Sequence, residues 1–92
     1  MCKSSLLLVD DDLHVLKSMA DWLRGEGFDV AEAATLKDAT IAIENKTFDL
    51  VVCDIRLSDG DGFQLLSHCR ENHPPLSVVL MTGYGSVETA VE

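Results

Sequence analysis

Residues 49–54 read Asp-Leu-Val-Val-Cys-Asp, a short apolar run that is closed by a carboxylate. A loop rich in Gly and Asp follows at residues 58–62, Ser-Asp-Gly-Asp-Gly. Consecutive Leu, Val and Cys residues are typical of a strand buried on both faces, as in parallel sheets. Ligand sites in such sheets lie just beyond the carboxyl ends of the strands. Asp54 is therefore the first candidate for a functional residue.

A second buried-strand run, residues 6–9, leads directly into Asp10, Asp11 and Asp12. If the two strands are parallel neighbours, Asp10, Asp11 and Asp54 meet at one edge of the sheet. Like charges this close repel, so the site needs a bound cation, a shared proton or both. The donors are hard oxygens and no Cys and His stand at ligand spacing, which favours Mg²⁺ over zinc. The alternative is that Asp12 only caps a helix and the other acids are solvated.

Length and composition limit the possible functions. Ninety-two residues form at most one domain, and an apolar content of 47% indicates a globular chain. The net charge of −9 argues against direct contact with nucleic acid. No apolar run reaches transmembrane length and no signal peptide is recognisable, so we expect a cytoplasmic protein without a membrane partner. The three cysteines form no CxxC pair, which fits a reducing compartment.

Periodicity and capping signals predict four strands, at about residues 6–9, 28–33, 50–54 and 78–81, which alternate with four helices. The first three helices are expected at about residues 12–24, 35–46 and 61–72. A fourth is expected to begin at Ser86 and to continue to the end of the chain. This alternation predicts right-handed crossovers and a mostly parallel α/β sheet with helices on both faces. Helical spacing places three side chains on the buried face of the third helix: Phe63, Leu66 and Cys69.

Taken together, these motifs resemble the receiver domain of bacterial two-component response regulators. The matching stretches are residues 8–12, 51–57, 61–62 and 80–85. The resemblance covers the whole chain, so residues 1–92 are expected to form one receiver domain. It implies a flavodoxin-like fold, as in chemotaxis-type regulators, with parallel strands in the order 2-1-3-4-5. This chain reaches the first four strands, in the order 2-1-3-4.

The resemblance also implies roles for the acidic residues. Asp54 looks like the residue that accepts the phosphoryl group from a sensor histidine kinase. Asp11 and Asp54 would bind Mg²⁺ directly, together with the backbone carbonyl of Arg56, and Asp10 would hold the ion through water. Phosphoryl transfer needs an in-line nucleophile and cationic help for the phosphoryl oxygens, and Mg²⁺ supplies much of that help.

Further residues would surround the phosphoryl group. Thr82 looks like the switch residue, whose hydroxyl binds a phosphoryl oxygen. Taken alone it is a β-branched residue that finishes a strand, but Gly83 beside it leaves room for a phosphoryl group. Arg56, Gly83 and Tyr84 would form the rim of the pocket. Bulky side chains at Arg56 and Tyr84 could obstruct the water that hydrolyses the aspartyl phosphate.

The chain departs from the family pattern in two ways. Ser58 stands where the family usually has a proline, and the sequence stops at Glu92. The family's fifth strand, its phosphoryl-pairing lysine, its aromatic switch residue and its fifth helix are thus missing, and no Lys follows Lys46. The domain is expected to be incomplete at its C-terminus, which leaves the fourth strand, residues 78–81, at an edge. We therefore expect self-association, which sedimentation of a dilute sample would reveal.

The resemblance implies a signalling role and not that of an independent enzyme. The chain would catalyse at most its own phosphorylation and autodephosphorylation. Residues 83–91 resemble receivers joined to DNA-binding transcription activators. We therefore expect a transcriptional output domain beyond residue 92 of the same polypeptide.

Two alternative functions remain at this point. In a haloacid-dehalogenase-like phosphatase, Asp10 would be the nucleophile and Asp12 the general acid. That reading leaves Asp54 without a role, and His14 stands where such enzymes usually have Thr. The second alternative is an interaction module that keeps the fold without switching. Neither His14 nor the two histidines near the end of the third helix, His68 and His73, looks like a phosphodonor.

Overall fold

Alternating apolar runs and capped amphipathic stretches give an α/β domain. The computed structural model describes residues 3–81 and the backbone of residues 87–90. Its elements are β1 (Ser5–Val9), α1 (Leu13–Gly25), β2 (Asp29–Ala33), α2 (Leu36–Asn45), β3 (Leu50–Asp54), β4 (Arg56–Leu57), β5 (Gly60–Asp61), α3 (Gly62–Asn72), β6 (Ser77–Met81) and β7 (Val87–Ala90). The first three predicted helices and all four predicted strands are confirmed to within a residue or so at each end. The two-residue strands β4 and β5, which pair in a small hairpin, were not predicted.

The sheet has the order β2-β1-β3-β6-β7, and its first four strands run parallel. The predicted order 2-1-3-4 is thereby confirmed. The register places Val9 of β1 opposite Cys53 of β3. It also places Asp54 of β3 opposite Met81 of β6. The carboxyl ends of the three central strands therefore lie side by side at one edge of the sheet.

The segment after residue 86 differs from the prediction. Residues 87–90 form a strand, β7, and not the start of the helix that was expected at Ser86. β7 pairs antiparallel with β6, from Met81 opposite Val87 to Val78 opposite Ala90. An uncovered β6 would leave its outer N–H and C=O groups without partners, and an antiparallel strand supplies them. β6 is therefore not the edge strand that was expected, and self-association, which was argued from that edge, stays a prediction.

Helices cover both faces of the sheet, as predicted. On one face, α2 and α3 contribute Ala39, Ile43, Leu65 and Cys69 to a core that contains Leu7, Val9, Val51, Cys53, Val78 and Leu80. On the other face, α1 packs Leu16 and Ala20 against Leu6, Leu8 and Val30. None of the helices in the described part of the chain is long and apolar enough to cross a membrane.

The buried face of α3 differs in one position from the sequence prediction. Phe63 is 51% exposed, so its predicted burial is wrong. Leu65 and Cys69, four residues apart, are the buried side chains, and Leu66 packs against them in part. Phe63 lies in the first turn of the helix, where the chain is still leaving the sheet edge. Spacing alone does not reveal that geometry.

The start of α3 is fixed directly against the end of β3. Asp61 accepts a hydrogen bond from the backbone N–H of Gln64 at 2.9 Å, and the Gln64 side chain accepts one from the Asp61 N–H at 2.9 Å. This reciprocal capping box satisfies two helix-end donors. A Cβ added to Gly62 would lie 2.9 Å from the Asp54 carbonyl oxygen and 2.9 Å from Leu80 Cδ2. Only a glycine lets the helix begin this close to Asp54.

We predict that Gly62→Ala destabilises the domain by about 1–3 kcal/mol, because the added methyl group must displace backbone as well as a core side chain. The matched control is Gly25→Ala at the end of α1, where an added Cβ meets nothing within 4 Å. That control should be neutral or slightly stabilising. Urea unfolding followed by circular dichroism measures both variants. If Gly62→Ala and Gly25→Ala had equal free energies of unfolding, the short distance between Gly62 and the Asp54 carbonyl oxygen would not be what requires glycine at this position.

Candidate functional site: an acidic pocket at the sheet edge

Three carboxylates converge where β1 and β3 end. Because Val9 lies opposite Cys53, the next residues along each strand, Asp10 and Asp54, are neighbours across the sheet. One carboxylate oxygen from each of Asp10, Asp11 and Asp54 lies within 4.8 Å of the other two. The parallel register thus produces the convergence that the two apolar runs predicted.

The three carboxylates differ in burial and in hydrogen bonding. Asp10 is 5% exposed, Asp54 is half-buried and Asp11 is exposed. Oδ1 of Asp10 accepts a hydrogen bond from the Asp12 N–H at 2.9 Å. Within residues 3–81, the contact that Oδ1 of Asp54 receives is a long one, 3.4 Å from the Arg56 N–H. The described part of the protein therefore engages the half-buried Asp54 carboxylate only weakly.

The electrostatics of the pocket disfavour a bare negative charge at Asp10. Burial raises the pKa of the Asp10 carboxyl above its ordinary value. The hydrogen bond from the Asp12 amide opposes this shift, and the negative charges of Asp54, Asp11 and Asp12 raise the pKa further. A cation bound among these carboxylates would remove the repulsion.

Other acids near the pocket serve as helix caps. Oδ1 of Asp12 accepts hydrogen bonds from the His14 and Val15 amides at 3.0 and 3.3 Å, so Asp12 is the N-cap of α1. The Asp59 carboxylate accepts bonds from the two amides that begin α2, at 2.7 and 3.0 Å, and ties the β4–β5 loop to that helix. The capping alternative is therefore correct for Asp12, whereas Asp10 and Asp54 cap no helix in the described structure.

The remaining predicted site residues are placed only in part. Thr82, Gly83 and Tyr84 lie outside the described residues. Met81, which precedes Thr82 in the chain, is the register partner of Asp54. Arg56 begins the β4–β5 hairpin two residues after Asp54, and it is exposed.

Cys53, next to Asp54, is a buried thiol. Burial, reinforced by the charges of Asp54 and Asp10, raises the pKa of the Cys53 thiol to about 12. Burial likewise raises the pKa of Cys69 to about 11. Both are free thiols in the core, and both remain protonated at neutral pH. Cys53 therefore acts as a small apolar core residue, as expected for a reduced cysteine within a buried strand.

We predict that Asp10→Asn stabilises the metal-free protein at pH 7, because it removes a charge that burial and the neighbouring carboxylates disfavour. The asparagine oxygen can still accept the Asp12 N–H, whereas the buried charge is gone. Asp10 ionises near 3.8 in the unfolded chain and at higher pH in the folded one. Between these values the folded state holds more protons, so wild-type stability falls as the pH rises through the folded-state pKa. The advantage of the variant should therefore vanish below about pH 3.8.

Thermal unfolding in chelator at several pH values measures this effect. The matched control is Asp21→Asn on α1, an exposed acid that pairs only with Lys17 and Arg24 at the surface. It should change stability by less than about 0.5 kcal/mol. A pH-independent gain for Asp10→Asn, or an equal gain for both variants, would contradict the assigned cause.

Comparisons with known proteins agree with this geometry. The family model of the response regulator receiver domain matches residues 6–92. The transcriptional regulatory protein ZraR of Salmonella typhimurium is 40% identical over 90 residues, which are 98% of this chain and 20% of ZraR. The photosynthetic apparatus regulatory protein RegA of Rhodobacter capsulatus is 38% identical over 87 residues, 47% of its length. The chain thus spans a fifth of ZraR and about half of RegA.

Solved structures show the same fold. A CheY-like receiver domain protein from Methanospirillum hungatei superposes with a TM-score of 0.87 at 36% identity, covering 92% of this chain and 68% of that one. The beryllofluoride-activated NtrC4 receiver domain dimer superposes with a TM-score of 0.81 at 34% identity, covering 89% and 68%. The chain therefore belongs to the receiver domain family of two-component response regulators.

Proposed function

We propose that Asp54 is the phosphoacceptor of this receiver domain. The observation that carries the proposal is the convergence of Asp10, Asp11 and Asp54 within 4.8 Å at the carboxyl edge of the sheet. Of the three, Asp54 is half-buried, and among the described residues it is only weakly hydrogen-bonded, which leaves an oxygen available to react in the proposed step. That oxygen forms a bond to phosphorus while the P–N bond of a phosphohistidine breaks. The imidazole of the donor keeps the electron pair.

The pocket suits a divalent cation of the Mg²⁺ type. All its side-chain donors are carboxylate oxygens, which Mg²⁺ prefers. Burial and the neighbouring carboxylates raise the pKa of Asp10, so the ionised form of Asp10 is disfavoured without a cation. We assign Asp11, Asp54 and the backbone carbonyl of Arg56 as direct ligands, with Asp10 acting through water. When bound, Mg²⁺ neutralises charge on the phosphoryl oxygens. The protein's own part is to fix the carboxylates by strand register.

The proposal extends to the residues that follow β6. Thr82 comes directly after the register partner of Asp54, which supports its role in binding a phosphoryl oxygen. Arg56, Gly83 and Tyr84 are assigned to the rim. For Thr82, Gly83 and Tyr84 the argument rests on sequence position next to β6.

The phosphodonor in this proposal is a histidine on a partner sensor kinase. ZraR is much longer than its match to this chain, which supports a transcriptional output domain after residue 92 of the same polypeptide. With a net charge of −9, residues 1–92 leave DNA contact to that domain. Phosphorylation and autodephosphorylation of its own aspartate are the chemistry assigned to the domain, and the cytoplasm is its proposed location.

The phosphatase alternative loses its general acid. The Asp12 carboxylate is held by the first turn of α1, and the family assignment gives that reading no support. A non-switching module remains the outcome that the following experiment would reveal.

We predict that the full-length protein becomes labelled by a small phosphodonor such as acetyl phosphate only when Mg²⁺ is present. Asp54→Asn should abolish labelling, because the amide cannot act as the nucleophile. Asp12→Asn is the matched control, because Asn caps helices as well as Asp does. It should be labelled at close to the wild-type rate, whereas a phosphatase that uses Asp12 as its acid would be impaired. Intact-mass spectrometry of each variant measures the added phosphoryl group.

Unchanged labelling of Asp54→Asn would refute the assignment of the phosphoacceptor. No labelling of the folded wild-type protein by either acetyl phosphate or a phosphorylated histidine kinase would favour the non-switching module.

A further inference from the structure

A second group of ligating side chains lies at the opposite edge of the sheet from Asp54. Glu44 is in the last turn of α2, His68 is in α3, and His73 is the C-cap of α3. Both helices run back against the parallel strands, so their C-terminal ends lie at the amino ends of β3 and β6. The three residues are thus separate from the acidic pocket.

The geometry of this group is compact. Nε2 of His68 lies 2.7 Å from Oε2 of Glu44, and Nε2 of His73 lies 2.9 Å from the same oxygen. All three candidate ligand atoms lie within 4.8 Å of one another. The centroids of the two imidazole rings are 5.8 Å apart, and the rings are tilted by 53°. Both rings direct Nε2 toward the same oxygen of Glu44.

Two imidazoles and one carboxylate form a ligand set that is common in zinc proteins. Zinc bonds of about 2.0–2.1 Å in a tetrahedron place the ligand atoms about 3.3 Å apart. The observed separations of 2.7 and 2.9 Å need to open by only about half an ångström, which small side-chain rotations supply. Each side chain is also reachable, with exposed fractions of 29% for His68, 31% for His73 and 48% for Glu44.

We propose that Glu44, His68 and His73 bind one Zn²⁺ ion, which links the C-terminal ends of α2 and α3. The two histidines supply Nε2 and the glutamate supplies Oε2. Water takes the fourth position, since three protein ligands leave a tetrahedral zinc open to solvent. Glu44 and His73 line a cavity of about 640 Å³ between the end of α2 and the chain that leads into β6, which has room for that water.

Asn72 is placed to support the site. Its side-chain nitrogen lies 3.3 Å from Nδ1 of His68 and donates a hydrogen bond to the His68 backbone oxygen at 3.0 Å. Without zinc, His68 carries its proton on Nε2 and donates a hydrogen bond to Oε2 of Glu44. Zinc replaces this proton, which moves to Nδ1 through solvent. Rotation of the Asn72 amide then presents its oxygen to the new N–H, as in other histidine sites with an outer hydrogen-bond partner.

The simpler use of the same residues is a pair of hydrogen bonds from the histidines to Glu44. The two readings differ in what a substitution does in the presence of metal. A pair of surface hydrogen bonds contributes little to stability and needs no ion. A zinc site adds a linkage between two helices that exists only when zinc is present.

The test is a zinc titration of the full-length protein against a chromophoric chelator, with excess Mg²⁺ present to occupy the acidic pocket. We expect one Zn²⁺ per chain at this site. His68→Gln and His73→Gln should each weaken binding by at least about tenfold, since even outer-shell partners of metal ligands are worth about 10- to 100-fold. X-ray absorption of the bound zinc should show two nitrogen neighbours at about 2.0–2.1 Å.

Two variants serve as controls. His14→Gln removes an exposed histidine of α1 that lies outside the group, and Cys2→Ser removes the thiol that lies outside the described residues. Both should bind zinc as the wild type does. Circular dichroism confirms that each variant is folded, and Glu44→Gln provides a third ligand variant should one histidine variant fail to fold. The absence of zinc binding would overturn the proposal, as would binding that the His68 and His73 substitutions leave unchanged.

Discussion

Repulsion among carboxylates at the ends of two parallel strands is the constraint on which this domain depends. The register that places Val9 opposite Cys53 also forces Asp10 and Asp54 together, because each is the next residue in its strand. Asp10 is almost completely buried there, and burial together with its charged neighbours raises its pKa. The fold therefore accepts a local loss of stability at its sheet edge. In the proposed function, a cation and then a phosphoryl group bind at this edge and offset the repulsion.

Several other acids near the pocket are committed to structural contacts. Asp12 and Asp61 are committed to the first turns of α1 and α3, and Asp59 ties the β4–β5 hairpin to α2. Gly62 brings α3 against the Asp54 carbonyl. These contacts fix the backbone on both sides of Asp54, and within the described residues its carboxylate receives only the long contact from the Arg56 N–H. A rigid frame around a weakly bonded carboxylate suits the role of phosphoacceptor that we propose for Asp54.

Local sequence signals predicted the strands, the first three helices and the convergence at Asp54, because apolar runs that end in acids report burial and chain direction together. The local signals did not predict features that depend on contacts between distant parts of the chain. Ser86 and Glu88 are signals for the start of a helix, yet residues 87–90 form a strand. Backbone pairing with the edge of β6 outweighs this weak local preference for helix. Glu44 lies 24 and 29 residues from the two histidines that it contacts, a separation at which no spacing rule applies. Only the packing of α2 beside α3 reveals that group.

We expect the acidic pocket to be destabilised by its own negative charge and a divalent cation to relieve that repulsion. The most direct test is the free energy of unfolding in urea, measured as the Mg²⁺ concentration rises while KCl holds the ionic strength constant. We expect the free energy of unfolding to increase with Mg²⁺ concentration and to follow the saturation of a single site. Stability that does not depend on Mg²⁺, or that rises equally with KCl alone, would contradict it.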